Sequence, residues 1–435
     1  DNLISQAEEA VKSSPISYRF QDNLRLTDVA ERLRTRMIRL GFAYQITGNK
    51  KYVDAAWENL SVLSTFPDIN PGHPIDAGSF MAGMAIGYDW MYHGFTEEQR
   101  RIIADNAIRL GITVMNNGFY GRTPARGGPD GNINVVGLYN KWISNYNIWV
   151  NHGTMLAALA FMENEPILCT DLLWHSLRSM EYGLKNFSPD GAWIESSSYW
   201  KIAAGFLAYS VMSLEKIFGT DFNLTKFPGV SRTGIFMQTL RSPIASYNYH
   251  DAAEESEFAG YPMMFYGTYF NQPELLAARK MTLTRALNGM ASVKPDIFDA
   301  LLYRPDVNVN DITKLPRVSV ARGLESFAVH QNYLDFNGLF FASHAGPVTA
   351  YHSQNDNGDF VFDLLGERWA CALPAEDYNS SLTNSEKYRY RTEGHNTVTI
   401  NNTLTLNQKA HTYAPMIKWE ESNGGAFCVY DMSEM

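Results

Sequence analysis

Apolar residues recur at three- and four-residue spacing through most of the first 290 or so positions, most clearly over residues 26–46, 51–63 and 98–115, and this spacing predicts amphipathic helices. Thr96-Glu97-Glu98-Gln99 has the form of a capping box, with Thr96 placed to accept from an orphan amide of the first turn and Gln99 to reach back. Helical segments follow one another with little strand signal between them. That order predicts helical hairpins stacked into a solenoid or a closed toroid. Around residues 307–316 the texture changes to clustered Asp, Asn and Pro, and beyond it short β-prone runs alternate with Gly, Asn and Asp turns. The runs at 338–343, 360–364, 397–400 and 426–430 predict strands. The expected organisation is α+β and multidomain: an N-terminal (α/α) toroid over residues 1–305 and an antiparallel β-sandwich over 306–435. The β-rich part stops at Met435 just after a strand, which points to a small or a shortened sandwich.

Composition narrows the function classes. A chain of 435 residues with 45% hydrophobic content can bury a large core and suits two domains. A formal net charge of −10 argues against nucleic acid as a partner, so a polyanionic ligand would have to meet a locally basic cleft. No run of about 18 apolar residues is present, so membrane insertion is not expected. Cys169, Cys371 and Cys428 are odd in number and widely spaced, which fits neither a disulfide framework nor a metal motif. The chain opens on Asp1 without Met or a signal-type segment, as a processed chain would, and its location has to be inferred from function. Its oligomeric state is not legible.

The candidate chemistry lies in three places. Asn151-His152-Gly153 and Tyr199-Trp200 set an amide, an imidazole and a phenol in the helical part, and His352-Ser353-Gln354-Asn355-Asp356-Asn357-Gly358 sets a second imidazole in the β-rich part. Amide and imidazole donors with a phenol suit proton abstraction beside a carboxylate. Asn147 precedes Asn151 by four residues, which puts both on one helix face.

These residues resemble the heparinase II/III-like polysaccharide lyases. The likeness runs through Tyr88-Asp89-Trp90, Thr96 to Arg100, Asn145-Tyr146-Asn147, Asn151-His152-Gly153, Asp190-Gly191, Glu195, Tyr199-Trp200 and Asn248-Tyr249-His250-Asp251. It continues through His352 to Phe360, Gly366-Glu367-Arg368-Trp369-Ala370 and Arg391 to Val398. The resemblance implies an (α/α) toroid with a β-sandwich, and β-elimination on a 4-linked uronate polysaccharide such as heparan sulfate, another glycosaminoglycan, alginate or glucuronan. It implies that Asn151 and His152 neutralise the uronate carboxylate, that Tyr199 protonates the departing O4 and for one epimer also serves as base, and that His352 is the base for the other epimer or a second carboxylate contact. Asn147, Tyr146 and Trp200 are then candidate substrate contacts, and Arg241, Arg389, Arg391 and Arg126, with Arg122, candidates to attract the polyanion. Such an enzyme acts in the periplasm or outside the cell.

Other readings stay open. A glycoside hydrolase on a similar toroid would need an acid pair, for which Asp190, Glu195, Asp251, Glu254 and Glu255 are available. A non-catalytic sugar-binding relative would use the abundant Trp and Tyr for stacking. Many relatives hold a structural zinc with His-x-His, an Asp and a later His. Here Gln354 replaces the second His and Cys371-Ala372 stand where the Asp is expected, so only His395 of that set remains. No zinc and no other cofactor is expected, with a hard cation on Asp356 and Asp359 the remaining option.

Overall fold

The computed structural model describes residues 2–122, 141–253, 260–290, 293–348, 352–373, 387–400 and 407–435. The chain folds as two compact units, one formed by Asp1–Leu184 with Phe206–Leu224, the other by Lys185–Gly205 with Thr225–Met435.

The first unit is helical. Its expected helices appear at Thr27–Thr47, at Lys50–Ser61 continued by a 3-10 turn at Val62–Thr65, and at Glu97–Ala107, which runs through a π-turn at Ile108–Ile112 into Thr113–Phe119. Gln99 N donates to Thr96 Oγ1 at 3.2 Å and Thr96 N to Gln99 Oε1 at 2.9 Å, so the capping box forms. Gly48 ends the helix Thr27–Thr47 at φ 65°, a left-handed conformation that glycine adopts without a Cβ penalty. The helix Pro74–Trp90 lies at the centre, packed on Thr27–Thr47 and on Asn145–Ala160, and is buried from Pro74 to Tyr88. A helix buried on all sides has no polar face, which is why its sequence is largely apolar, with Asp76 and Ser79 the buried polar exceptions and both hydrogen-bonded. Gly153 sets the approach of Asn145–Ala160 to this helix: a Cβ there would fall 1.9 Å from Gly78 O.

The second unit joins short helices to strands. Thr233–Thr239, Pro262–Tyr269, Pro273–Leu287 and Ile297–Leu301 precede β1 (Val318–Ala321), β2 (Ser326–His330), β3 (Phe340–Ser343), β4 (Gly346–Pro347), β5 (Phe360–Leu364), β6 (Glu367–Ala370), β7 (Tyr413–Ala414), β8 (Met416–Ser422) and β9 (Gly425–Tyr430). Five strands form an antiparallel sheet in the order β1-β2-β3-β5-β6, while β4 pairs with β7 and β8 with β9. The helix-to-strand change falls between Leu301 and Val318, near the expected boundary at 305, yet that boundary lies inside the second unit, because helices 225–301 pack with the strands. Residues 397–400 form no strand. Asn396 and Thr397 direct their polar groups to loop partners instead, Asn396 N to Asp359 Oδ1 at 2.8 Å and Thr397 Oγ1 to Asn357 O at 2.7 Å, and Val398 and Ile400 are exposed. The chain between β3 and β5 carries His344, His352, Asp356 and Asp359.

Candidate functional site

In the first unit, Asn147, Asn151 and His152 lie on the helix Asn145–Ala160 and are buried, His152 at 1% exposure. Asn151 Nδ2 donates to Asn147 O at 2.8 Å, Asn147 Oδ1 at 3.2 Å and Ser179 Oγ at 2.9 Å, which is the one-face pairing that the four-residue spacing predicts. Its Oδ1 has no hydrogen-bond partner among the described residues. The His152 ring stacks on Phe206, centroids 4.7 Å apart at 15°. Burial, with the Arg34 charge nearby, holds this imidazole well below its ordinary range, so it is neutral. Ser210 Oγ gives its proton to Phe206 O at 2.9 Å and so accepts from His152 Nδ1 at 3.3 Å. His152 Nε2 is therefore a bare acceptor, with no partner among the described residues.

The second unit brings Tyr199 and His352 together. Ser196, at φ 108°, turns the chain into the helix Ser197–Phe218, its carbonyl accepting from Trp200 N at 3.0 Å, and Tyr199 stands in the first turn. The Tyr199 ring stacks on the His352 imidazole with centroids 3.7 Å apart and planes at 14°. His352 Nδ1 lies 3.7 Å from Asp251 Oδ2, an ion-pair distance, and Asp251 Oδ1 also accepts from Tyr390 OH at 3.1 Å and Gln354 Nε2 at 3.4 Å. His352 sits at φ 63° and His250 at φ 52°, and Asp251 N donates to His352 O at 3.2 Å. Left-handed backbone at a non-glycine residue costs on the order of 1–3 kcal/mol, and such residues concentrate at functional sites. His352 is half-buried.

Several other candidates are buried. Trp200 is fully buried, with Nε1 donating to Thr233 Oγ1 at 2.7 Å. Arg241 is buried and donates to Thr282 Oγ1 at 3.1 Å. Arg389 is 1% exposed, its Nη2 donating to the carbonyls of His250 and Ala252. All three side chains are buried. Arg391 is half-buried and paired with Glu393 at 2.6 Å. In the first unit, Tyr146 is half-buried, its ring edge-on to His73 at 6.2 Å, and Arg122 is exposed over Tyr120. Arg126 lies outside the described residues, as do Glu254 and Glu255. Of the remaining acids, Asp251 is engaged by His352 and Tyr390, and Asp190 by the amides of Arg322 and Gly323. Glu195 is fully buried.

The roles of Asp251 and Tyr390 as the support of His352 were not foreseen. Asp251 carried a signal in the run Asn248-Tyr249-His250-Asp251, whereas Tyr390 carried none. The zinc set of the related lyases does not fit here. Gln354 donates its amide to Asp251, and Ala372 offers no ligand atom.

Comparison with solved structures places this fold. A crystal structure of heparinase III is similar over 97% of this chain and 65% of its own, with a TM-score of 0.62 and 12% identity. The chain has the fold of heparinase III. Heparan sulfate lyase HepC from Pedobacter heparinus is similar over 97% of this chain and 63% of its own, with a TM-score of 0.55 and 14% identity. The chain thus combines helical hairpins of the (α/α) toroid with an antiparallel β region, as the motif resemblance implied. It spans about two thirds of the length of these heparinase structures. No family model matches the chain, and no curated protein sequence does. No helix among the described residues is long and apolar enough to cross a membrane.

Proposed function

We propose that the chain is a polysaccharide lyase that cleaves a 4-linked uronic-acid polysaccharide by β-elimination. The observation that carries the reading is the stacked pair of Tyr199 and His352 with Asp251 beside the imidazole. Asp251 stands beside Nδ1, where a carboxylate orients an imidazole for proton transfer. In the reaction the C5 proton passes to the base, the C5–H electron pair forms the C4–C5 double bond, and the C4–O4 bond breaks. O4 leaves with a proton from the acid. For a substrate whose C5 proton and O4 lie on one face, Tyr199 fills both roles; for the opposite epimer, His352 is the base.

Neutralising the uronate carboxylate is the role proposed for Asn151 and His152. In the first unit these present acceptors, Asn151 Oδ1 and His152 Nε2. To stabilise an anion they must present donors, which takes a 180° turn of the Asn151 amide and a proton on His152 Nε2. The half-buried Arg391 and exposed Arg122, with Arg126 and Tyr146, are proposed contacts for the polyanion. A polysaccharide of this kind is met outside the cytoplasm, so we assign the chain to the periplasm or the exterior.

Ultraviolet absorbance during incubation with heparan sulfate, chondroitin sulfate, hyaluronan, alginate and glucuronan tests the reading, because elimination creates a conjugated double bond and hydrolysis does not. A rise with one substrate supports a lyase and names its sugar. New reducing ends without absorbance would replace the lyase with a hydrolase. The full burial of Asn151 and His152 favours, as second reading, a chain that binds such a polysaccharide without cleaving it, for which both assays stay silent while binding is retained.

A further inference from the structure

Apart from the residues given a part in the reaction, the first unit holds a polar cleft of about 360 Å³ where the segment ahead of the helix Thr27–Thr47 meets its first turns. Arg19, Arg32, Ser17 and Gln21 line it with hydrogen-bond donors, beside Phe20 and Asp28. Gln21 Oε1 accepts from Asp28 N at 2.9 Å, which leaves the NH2 group of that amide as its donor. Arg19 and Arg32 are exposed, and neither has a hydrogen-bond or ion-pair partner among the described residues.

A shortage of carboxylates does not explain two bare guanidinium groups in one cleft, because the chain has 46 acidic residues to 36 Lys and Arg. Arg34 on the same helix pairs with Glu31 at 2.6 Å, Arg101 with Glu98 at 2.7 Å and Arg178 with Glu181 at 2.8 Å. Asp28 precedes Arg32 by four residues, the spacing and order that favour a helical ion pair, yet the two do not pair. Arg36, one turn further on, adds to the charge. It donates to Ser14 O at 2.6 Å and Asn59 Oδ1 at 2.8 Å, and meets no carboxylate among the described residues. Burial, and then the Arg32 charge, hold Arg36 below its ordinary range. Uncompensated cations at the wall of a cleft focus positive potential there, on a chain whose net charge is −10.

The cleft also lies at a telling end of the unit. The helices Thr27–Thr47 and Pro74–Trp90 run parallel, since Leu26 N donates to Asp76 Oδ2 at 2.7 Å near their starts and Gly41 packs on Trp90 near their ends. Asn145–Ala160 runs the same way, with Gly78 against Val150 and Ala160 beside Trp90. Their first turns therefore share one end, the end where Tyr146 stands. Each packed neighbour adds an interaxial step of about 8–10 Å, so the cleft and Tyr146 are separated by no more than about two such steps, a span that several sugar units cover.

We propose that the Arg19–Arg32 cleft is a second binding site for an anionic polysaccharide, seating a sulfate or carboxylate group of a sugar that is not the one being cleaved. The guanidinium forks match the planar or tetrahedral oxyanion, Asp28 accepts from sugar hydroxyls, and the half-buried Phe20 ring offers an apolar wall. That the occupant is the lyase's own substrate rests on the function proposed above; the preference of the cleft for an anionic sugar chain does not.

The test is calorimetric titration of the full chain, in a Tyr199→Phe background that suppresses cleavage, with heparan sulfate, chondroitin sulfate, hyaluronan, alginate and glucuronan, and with uncharged dextran as control. Arg19→Gln with Arg32→Gln should weaken binding of the preferred anionic polysaccharide by about tenfold or more, because charge-assisted hydrogen bonds are lost. Arg19→Lys with Arg32→Lys should recover part of that loss, since the charge returns without the fork. Raising the salt should cost the parent protein more affinity than the double Gln variant. Affinity is read without turnover, so a chain that binds but never cleaves still tests the cleft, and failure of the lyase reading shows separately as silence in the ultraviolet assay. Binding by the double Gln variant within about twofold of the parent overturns the proposal, as does a parent that binds none of the anionic polysaccharides or binds dextran equally well. A loss that the Lys pair does not relieve at all, accompanied by a lower melting temperature in both variants, makes the arginines structural and overturns it too.

Discussion

Replacing Tyr199 by Phe separates chemistry from packing, because it removes one oxygen and leaves the ring. The ring stacks on His352 at 3.7 Å and 14°, and a phenyl ring can keep that stack. Aromatic pairs are worth about 0.5–1.5 kcal/mol beyond area burial, so Tyr199→Phe should melt within a degree or two of the wild type, while Tyr199→Ala loses the stack and about 1 kcal/mol of stability. If the phenol carries the proton to O4, its loss removes a general acid, a contribution of typically 10²–10⁴ in rate, or about 3–5 kcal/mol of barrier. The loss should fall on kcat, with KM little changed, since the oxygen acts in the transition state rather than in binding. The assay is the ultraviolet absorbance of the unsaturated product on whichever polysaccharide proves active, with calorimetric melting of all three proteins in parallel. A Tyr199→Phe enzyme within about fivefold of wild-type kcat would refute the acid role. A Tyr199→Phe protein that loses activity and melts far lower would show that the oxygen is structural.

Asp251→Asn should keep the fold and lower kcat by about tenfold or more, because the amide removes the charge 3.7 Å from His352 Nδ1; unchanged turnover would dismiss Asp251 as its support. Gly153→Ala should destabilise the first unit by about 3 kcal/mol or prevent folding, since the new Cβ meets Gly78 O at 1.9 Å and backbone cannot move aside, as urea unfolding would measure. His330 is buried, its Nε2 donating to Thr239 O at 2.9 Å, and burial lowers its pKa to about 4 from 6.5. The unfolded chain therefore binds the extra proton first, so stability is full above about pH 6.5 and falls toward pH 4, by up to about 3 kcal/mol. His330→Gln should flatten that part of the stability–pH curve, and an unaltered slope would count against it. Arg279→Ala should cost about 3–5 kcal/mol by stranding the buried Asp299 carboxylate, now 2.6 Å from Arg279 Nη2, and Arg279→Met with Asp299→Leu should recover most of it in the same unfolding assay.

Periodicity made the starts of the long helices legible to within a residue, and the Thr96 capping box marked one of them, because both signals are local. The strands at 360–364 and 425–430 were legible for the same reason. What a side chain meets is not local. Arg389 reads as a surface cation, yet the carbonyls of His250 and Ala252, more than 130 residues away in sequence, give it a buried place. Residues 397–400 alternate like a strand but lose to the loop partners of Asn396 and Thr397. The pairing of Tyr199 with His352 was implied only as two separate motif matches, and their stacking is visible only in three dimensions.

The way the chain is divided between its units bears on how it is made. Residues 1–184 belong to the first unit, 185–205 to the second, 206–224 to the first again, and the rest to the second. A ribosome that releases the chain in order cannot finish the first unit until residue 224 has emerged, and by then 185–205 has been waiting for strands synthesised more than a hundred residues later. The apolar side chains of that stretch, Trp193 and Trp200 among them, are buried in the finished fold and would be uncovered during that interval, a window in which a nascent chain is open to misassociation.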